Sequence, residues 1–257
     1  FFVGIFFLLL EFFSLNFQIY KMDVYHEGQR LSSAYRHYLD GSLWSKSYVT
    51  VGIFYETLLA NFAWKFFNNV SIGSFRFFNT VLILIFKITL AYLSFIISKL
   101  SNFKIELKYL NFILLFIVTV NLADYQLASA DLLNLRDLAV LFTSIIILKI
   151  ILNKNVPYFL ITLLGLISIL SFFWAIDRGL VCNLLIIFSL LFFLLKNQYS
   201  KFFFLIISIF FFWFISYIFL NDEFIYFVKN SLTIISEMSY IHGIIFPKPF
   251  GLESDSS

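Results

Sequence analysis

Long apolar runs separated by short polar segments make up most of this chain. A helix needs about 17 to 25 predominantly apolar residues to cross a bilayer. The pattern therefore predicts an all-α fold, a polytopic transmembrane helical bundle of about seven spans, in a single membrane domain over residues 1–257. The predicted spans, of which the third and fourth are short, are residues 1–17, 77–98, 110–122, 138–152, 157–176, 180–195 and 202–220.

One further apolar run, residues 51–67, is interrupted by Glu56, Asn61 and Lys65 at roughly helical spacing. This pattern favours a helix that lies on the membrane surface over one that crosses. We therefore expect residues 18–76 to form a large outward first loop with membrane-surface helices, ahead of a bundle over 77–220. The tail, residues 221–257, is expected to lie outward and to fold back as a re-entrant or surface segment.

Composition narrows the class of protein. Hydrophobic residues make up 61% of the chain, charged residues 13%, and the mean hydropathy is +0.93, so most of the surface must face lipid. The net charge of +3 is modest and the lysines are spread over short loops, which argues against a nucleic-acid partner. Because the chain starts with Phe1 inside an apolar run, we expect segments to be missing at its N-terminus, and we expect the same at its C-terminus.

Charged loops alternate along the chain in a way that orients the bundle. Lysine-rich loops follow the second, fourth and sixth spans, whereas the other loops carry acids. Since Lys and Arg accumulate in short cytoplasmic loops, seven spans place every lysine-rich loop inside and every acidic loop outside. The lysines are Lys99, Lys104, Lys108, Lys154, Lys196 and Lys201, and the acids are Asp23, Glu27, Asp124, Asp131, Asp177, Asp222 and Glu223.

The first loop carries a cluster of polar side chains that could act in catalysis or bind a metal ion. Asp23 and Glu27 are four residues apart and would share a helical face, with His26 beside them and Gly28 allowing a turn. A carboxylate there could act as general base toward a hydroxyl, and Asp23 and Glu27 could also hold a divalent cation. The alternative is a solvated turn whose charges merely keep the segment out of lipid.

A family resemblance spans residues 23–76, roughly a fifth of the chain. The motifs are Asp-x-x-His-Glu-Gly at 23–28, Asp-Gly-Ser-Leu-Trp at 40–44, Tyr48, Gly52, Trp-Lys at 64–65 and Ser-Ile-Gly-Ser-Phe-Arg at 71–76. They resemble the first outer loop of GT-C-type membrane glycosyltransferases, which transfer sugars from polyprenyl-phosphate carriers. The resemblance implies that Asp23 is the catalytic base or a metal-proximal acid and that Glu27 assists it. Many members carry two adjacent acids, so the separation of Asp23 from Glu27 leaves open which one performs the chemistry.

A polyprenyl-phosphate donor would require cations on the same face as the acids, since the leaving phosphate must be held. The candidate substrate-binding residues are His26, Arg136, Asp177, Arg178, His242 and Lys248. Arg178 is the preferred phosphate ligand because its loop is short enough to hold it near the headgroups. The alternatives are an Asp-Arg-Gly turn that caps a hairpin with an internal ion pair, and a structural role for His242.

Two charges lie deep within predicted spans and are costly without partners. Glu11 lies nine residues before Tyr20, where the polar first loop begins, and Lys87 lies eleven residues after Arg76, which puts both about 15 Å into the membrane. We hypothesise that they form an ion pair. The alternative is that each side chain snorkels or faces a wet cavity.

The resemblance implies an enzyme, a hexosyl- or pentosyltransferase that uses a polyprenyl-phosphate sugar and an acceptor hydroxyl on a glycan, lipid or protein. The resemblance implies the bacterial inner membrane with the active face outward, and a role in cell-envelope polysaccharide biosynthesis. The alternatives are a transporter or flippase of a lipid-linked or small polar substrate, and a scaffold subunit. No Gly-rich phosphate loop, zinc-ligand spacing or serine nucleophile motif supports soluble nucleotide chemistry.

Overall fold

The computed structural model is helical throughout its described part. It describes residues 2–14, 26–46, 49–100, 105–121, 135–153 and 155–241, and these ranges contain no β-strand. The helices are α1 (Phe2–Ser14), α2 (His26–Asp40), a π-helical turn (Phe54–Leu58) that runs into α3 (Leu59–Phe67), α4 (Ile72–Leu100), α5 (Ile105–Asn121), a 3-10 turn (Leu135–Asp137) that leads into α6 (Leu138–Leu152), α7 (Tyr158–Trp174), α8 (Ile176–Leu195), α9 (Tyr199–Leu220) and α10 (Asp222–Ile241).

Each of the seven predicted spans coincides with a helix, and the all-helical class is confirmed. Within the described ranges, three helices are long and apolar enough to cross a membrane: α4, α8 and α9. Shorter apolar helices occur in α1, α5 and α7, and α6 has 15 residues. The helices thus fit a membrane protein, while the crossing of all seven remains a prediction.

Helices α7, α8 and α9 pack closely against one another through small residues. A Cβ atom added at Gly165 of α7 would lie 2.6 Å from the Cβ of Ser208 on α9, and one added at Gly179 of α8 would lie 2.6 Å from the Phe172 ring. Lipid tails are as apolar as leucine, so close packing at such small residues is what holds membrane helices together.

The predicted ion pair between Glu11 and Lys87 is confirmed. The Lys87 Nζ on α4 lies 2.8 Å from Glu11 Oε1 on α1, and the lysine side chain is only 3% exposed. Leu8 and Phe12 of α1 pack in the same contact with Leu84 of α4. A charge in an apolar contact requires a counter-charge, which explains why two otherwise costly residues are found facing each other.

The first loop forms a packed layer over one end of the bundle rather than a simple surface helix. Its run 51–67 is helical as predicted, but Glu56 and Asn61 are buried instead of facing water, and only Lys65 of the three polar interruptions is exposed. The reason is α2, which covers this side of the run with polar groups. Asn61 Nδ2 donates to the Ala34 carbonyl, and Gln29 donates to Glu56.

Helix α10 closes over the same end from the other side. The Glu223 carboxylate accepts hydrogen bonds from the backbone N–H groups of Trp44 and Ser45, and from the Ser45 hydroxyl. Burial alone would raise the pKa of Glu223, but these hydrogen bonds outweigh it and lower the pKa below its ordinary value. The Trp44 ring packs between Phe173 of α7 and Phe227 of α10. Helix α10 therefore contacts the first loop, while the surface or re-entrant position of the tail remains a prediction.

Charges separate between the two ends of the bundle. Acids and arginines gather where α4, α6 and α8 begin, as the contacts of Arg76 with Glu27 and of Arg136 with Asp177 show. Lys99, Lys196 and Lys201 lie at the opposite end, where α4 and α8 finish and α9 begins, whereas Lys46 and Lys65 belong to the first loop. This arrangement agrees with the charge alternation, while the side of the membrane that each end faces remains a prediction.

Candidate functional site

Three of the candidate substrate-binding residues lie together at the first-loop end of the bundle. Arg136 Nη2 lies 2.5 Å from Asp177 Oδ2, and Arg178 Nη1 lies 2.8 Å from the same oxygen. Arg178 Nε also donates to Asp137 Oδ1. We call Arg136, Asp137, Asp177 and Arg178 the arginine cluster. Its side chains are between 15% and 33% exposed, so the cluster is half-buried but reachable from outside.

The local sequence explains how α8 positions Asp177 and Arg178 of the cluster. Ala175 is extended (φ −157°, ψ 125°) and separates α7 from α8. The sequence analysis placed Asp177 and Arg178 in a short loop, but α8 begins at Ile176, so both lie in its first turn. The internal ion pair considered as an alternative is present, and Arg136 and Asp137 extend it across to the start of α6.

Glu27 is held by an arginine. Arg76 Nε and Nη2 lie 2.7 and 2.6 Å from the two carboxylate oxygens of Glu27, whose side chain is 3% exposed. This bidentate pair fixes α2 to the start of α4. The contact gives Glu27 a positioning role in the structure, and its catalytic role remains a prediction.

The remaining candidates cannot be placed. Asp23, His242 and Lys248 lie outside the described residues, and so does the side chain of His26, whose backbone begins α2. Within the described ranges, no three His, Cys, Asp or Glu side chains gather in a way that would hold a metal ion. The predicted divalent cation at Asp23 and Glu27 is therefore untested.

Sequence analysis missed a buried polar group around Glu56. Glu56 is 2% exposed, and its Oε1 accepts hydrogen bonds from Thr50 Oγ1 at 2.5 Å and Gln29 Nε2 at 2.8 Å. No described group forms a hydrogen bond with its other oxygen, Oε2. Burial raises the pKa of Glu56. The hydrogen bond from Thr50 and the charge of Arg30 lower the pKa, but by less than burial raises it. The residue lies in the π-helical turn, a distortion often found at functional sites.

Tyr55 and Trp174 connect this buried group to the arginine cluster. The Arg30 guanidinium lies 3.9 Å from the centre of the Tyr55 ring and donates to its hydroxyl. The Tyr55 ring meets Trp174 edge-on, and Trp174 Nε1 donates to the carbonyl of Leu135, next to Arg136. Burial raises the pKa of Tyr55, and the charges of Arg30 and Arg136 offset part of that rise. The first loop thus packs against Trp174, which bonds to the residue preceding Arg136 of the cluster.

One signal could have located the buried group. Gln29, Arg30 and Ser33 of α2 recur at helical spacing and make a polar stripe, and Glu56 and Thr57 form a matching polar pair in the next run. Ser33 Oγ lies 2.5 Å from Thr57 Oγ1, so the two stripes do face each other. Polar stripes on neighbouring helices can satisfy each other as well as face water.

Comparisons with protein-family models, with curated proteins and with solved structures found no match. The resemblance of residues 23–76 to GT-C enzymes therefore rests on its motifs alone.

Proposed function

We propose that this protein is a membrane glycosyltransferase that moves a sugar from a polyprenyl-phosphate carrier to an acceptor hydroxyl. The observation that supports this most strongly is that the first loop packs beside the arginine cluster: Tyr55 contacts Trp174, and Trp174 bonds to the carbonyl of Leu135, next to Arg136. Glycosyl transfer needs a base for the acceptor and cations for the departing phosphate within one site. Of the described groups, Glu27 and the arginine cluster lie at this end of the bundle.

The proposed chemistry assigns a role to each residue. A first-loop carboxylate, Asp23 with Glu27 beside it, takes the proton of the acceptor hydroxyl while its oxygen bonds to the anomeric carbon. The bond between that carbon and the phosphate oxygen breaks, and polyprenyl phosphate leaves with the electron pair. Arg136 and Arg178 balance the phosphate charge. His26, His242 and Lys248 are further proposed substrate contacts, and Asp23 with Glu27 is the proposed place for a divalent cation.

The proposal includes a location. All seven predicted spans cross the inner membrane of a bacterium, and the first loop, the arginine cluster and the tail face outward. The position of Lys99, Lys196 and Lys201 at the end opposite the arginine cluster supports this orientation.

The direct test is sugar transfer by membranes that hold the full-length protein, supplied with a labelled polyprenyl-phosphate sugar and assayed with and without EDTA. Replacing Asp23 by Asn should lower turnover by about 10²- to 10⁴-fold, the usual contribution of a general base. Asp40→Asn is the matched control, because Asp40 is an exposed acid that bonds only locally, to Ser42 and Lys46, among described groups. Near-normal turnover of the Asp23→Asn variant at normal expression would contradict the proposal.

A transporter or flippase is the second candidate, supported by the buried pair of Lys87 with Glu11. Charges inside a bundle are typical of substrate and proton pathways. Vesicle assays separate the two: a transporter moves the labelled substrate across the bilayer unchanged, whereas a transferase yields a new glycoside and leaves the carrier phosphate.

A further inference from the structure

We infer that Asp177 occupies a phosphate-binding site formed by Arg136 and Arg178, and that a lipid phosphate must displace this carboxylate to bind. The inference rests on the proposed function in one respect, since the ligand is taken to be the phosphate of a polyprenyl carrier. It changes the role of Asp177: the carboxylate competes with the substrate phosphate for the two arginines and does not itself bind the substrate.

The geometry of one oxygen atom carries the inference. Asp177 Oδ2 lies between two guanidinium groups, 2.5 Å from Arg136 Nη2 and 2.8 Å from Arg178 Nη1. A single oxygen bridging two arginines is the arrangement in which guanidinium groups hold a phosphate oxygen. The carboxylate also accepts the backbone N–H of Arg178, at 2.9 Å, in the first turn of α8. The amino-terminal turn of a 20-residue helix favours an anion at that place.

Charge explains why the carboxylate must move. The arginine cluster holds two arginines and two aspartates, so its formal charge is zero and it offers an incoming phosphate little net attraction. Asp137 contacts Arg178 through Nε, whereas Asp177 contacts it through Nη1. When Asp177 swings away, Asp137 still anchors the Arg178 guanidinium and the Nη1 side becomes available. The cluster then has one excess positive charge facing the ligand.

The surface of α8 indicates that the phosphate belongs to a lipid. Asp177 stands at the head of a stripe of exposed apolar side chains that recur at helical spacing along α8. A polyprenyl chain lying along this stripe would bring its phosphate to the position of the Asp177 carboxylate. The stripe consists of Leu180, Val181, Leu184, Ile187, Phe188 and Leu191.

The test measures binding of a fluorescent polyprenyl phosphate to the full-length protein in lipid nanodiscs. Asp177→Asn keeps the shape of the side chain and removes its charge, so affinity should rise about tenfold. Asp222→Asn is the matched control, because it removes an exposed acid at the start of α10 and should leave affinity unchanged. Adding Arg136→Gln to Asp177→Asn should abolish the gain. Asp177→Ser, which removes the charge and keeps a side-chain oxygen in the first turn of α8, is the second variant in case Asp177→Asn folds poorly.

The opposite results would overturn the inference. Thermal unfolding shows whether the Asp177→Asn and Asp177→Ser variants are folded. If they are folded and bind polyprenyl phosphate no more tightly than the wild type, Asp177 is a purely structural partner of the two arginines. Inorganic phosphate that competes fully at the same concentrations, or the uncharged polyprenol binding equally well, would exclude a lipid-phosphate site. A rise in affinity without sugar transfer by the wild-type protein would support the site and contradict the proposed glycosyltransferase, so the two failures are distinguishable.

Discussion

Glu56 shows, at the scale of single residues, that a neighbouring helix can bury a polar side chain which the sequence pattern alone would place in water. The spacing of Glu56, Asn61 and Lys65 fits a polar face, and only Lys65 is exposed. The groups that surround Glu56 come from α2, about 27 positions earlier at Gln29, and periodicity within one run carries no information about such a partner. The ion pair of Glu11 with Lys87 was predictable because both residues are costly without a partner at the same depth.

Burial raises the pKa of Glu56, so we expect its carboxyl group to stay protonated to a higher pH than an exposed glutamate does. An infrared difference spectrum should show a protonated carboxyl band that Glu56→Gln removes. Glu27→Gln is the control, since Glu27 is ion-paired with Arg76 and its replacement should leave the band unchanged. A spectrum in which Glu56→Gln removes no such band would contradict the assignment.

The same residue predicts a pH dependence of stability. A carboxyl whose pKa is raised by folding binds its proton more tightly in the folded state. Its contribution to stability is full below the unfolded value of about 4.3 and is lost as the pH rises through the folded value. The melting temperature of Glu56→Gln should therefore decline less with rising pH than that of the wild type. If the melting temperatures of both proteins change in parallel with pH, the raised pKa of Glu56 is contradicted.

A charge exchange tests the pair of α1 with α4. Glu11→Lys and Lys87→Glu should each cost about 3 kcal/mol, the lower end of the range for breaking a buried pair, because Glu11 is 41% exposed. The double variant restores opposite charges and should recover most of the loss in thermal unfolding. Losses that simply add in the double variant would mean that the two side chains do not interact.

Elements show a second limit of sequence analysis. The fourth predicted span, 138–152, coincides with α6. Polar residues, Asp137 and Asn153, flank the apolar run, so the run and the helix end at the same positions. The predicted sixth span began at residue 180, but α8 begins at Ile176 and includes the charged pair Asp177 and Arg178. The first turn of a helix tolerates charge, so hydropathy alone places such boundaries too late.

The loop that precedes the π-helical turn is fixed to the junction of α7 and α8. Ile176 donates its backbone N–H to the Val51 carbonyl at 2.6 Å, and a Cβ atom added at Gly52 would lie 2.3 Å from the Trp174 carbonyl oxygen. The absence of a side chain at Gly52 therefore lets the loop lie directly on this junction, beside the arginine cluster.

We predict that Gly52→Ala destabilises the protein by about 1–3 kcal/mol, the usual cost of inserting a methyl group into a packed contact. Gly28→Ala is the matched control, since a Cβ atom there meets no atom of the described residues within 4 Å. It should be neutral or stabilise α2 by about 0.5–1 kcal/mol, because Ala favours the helix more than Gly does. Thermal unfolding of the two variants measures the difference, and equal melting temperatures would show that the contact at Gly52 is loose.

On the scale of the whole molecule, hydropathy and charge alternation were sufficient to predict an all-helical fold that includes helices long and apolar enough to cross a membrane, while the seven crossings and their orientation remain predictions. They could not predict how the first loop folds, because its layer depends on contacts between Gln29 and Glu56, Arg30 and Tyr55, and Glu27 and Arg76 that link separate segments. They also could not show that Asp177 bridges two arginines, since Arg136 lies 41 residues away in the chain.

The most direct test of the central claim, that the first loop and the arginine cluster share one side of the membrane, is cysteine labelling in sealed vesicles. The native Cys182 is fully buried, so single cysteines can be introduced at Ser32 of α2, at Asp177 of the cluster and at Lys196 of the far end. A membrane-impermeant maleimide should label the first two positions from one side and position 196 only from the other. Labelling of positions 32 and 177 from opposite sides would contradict the account.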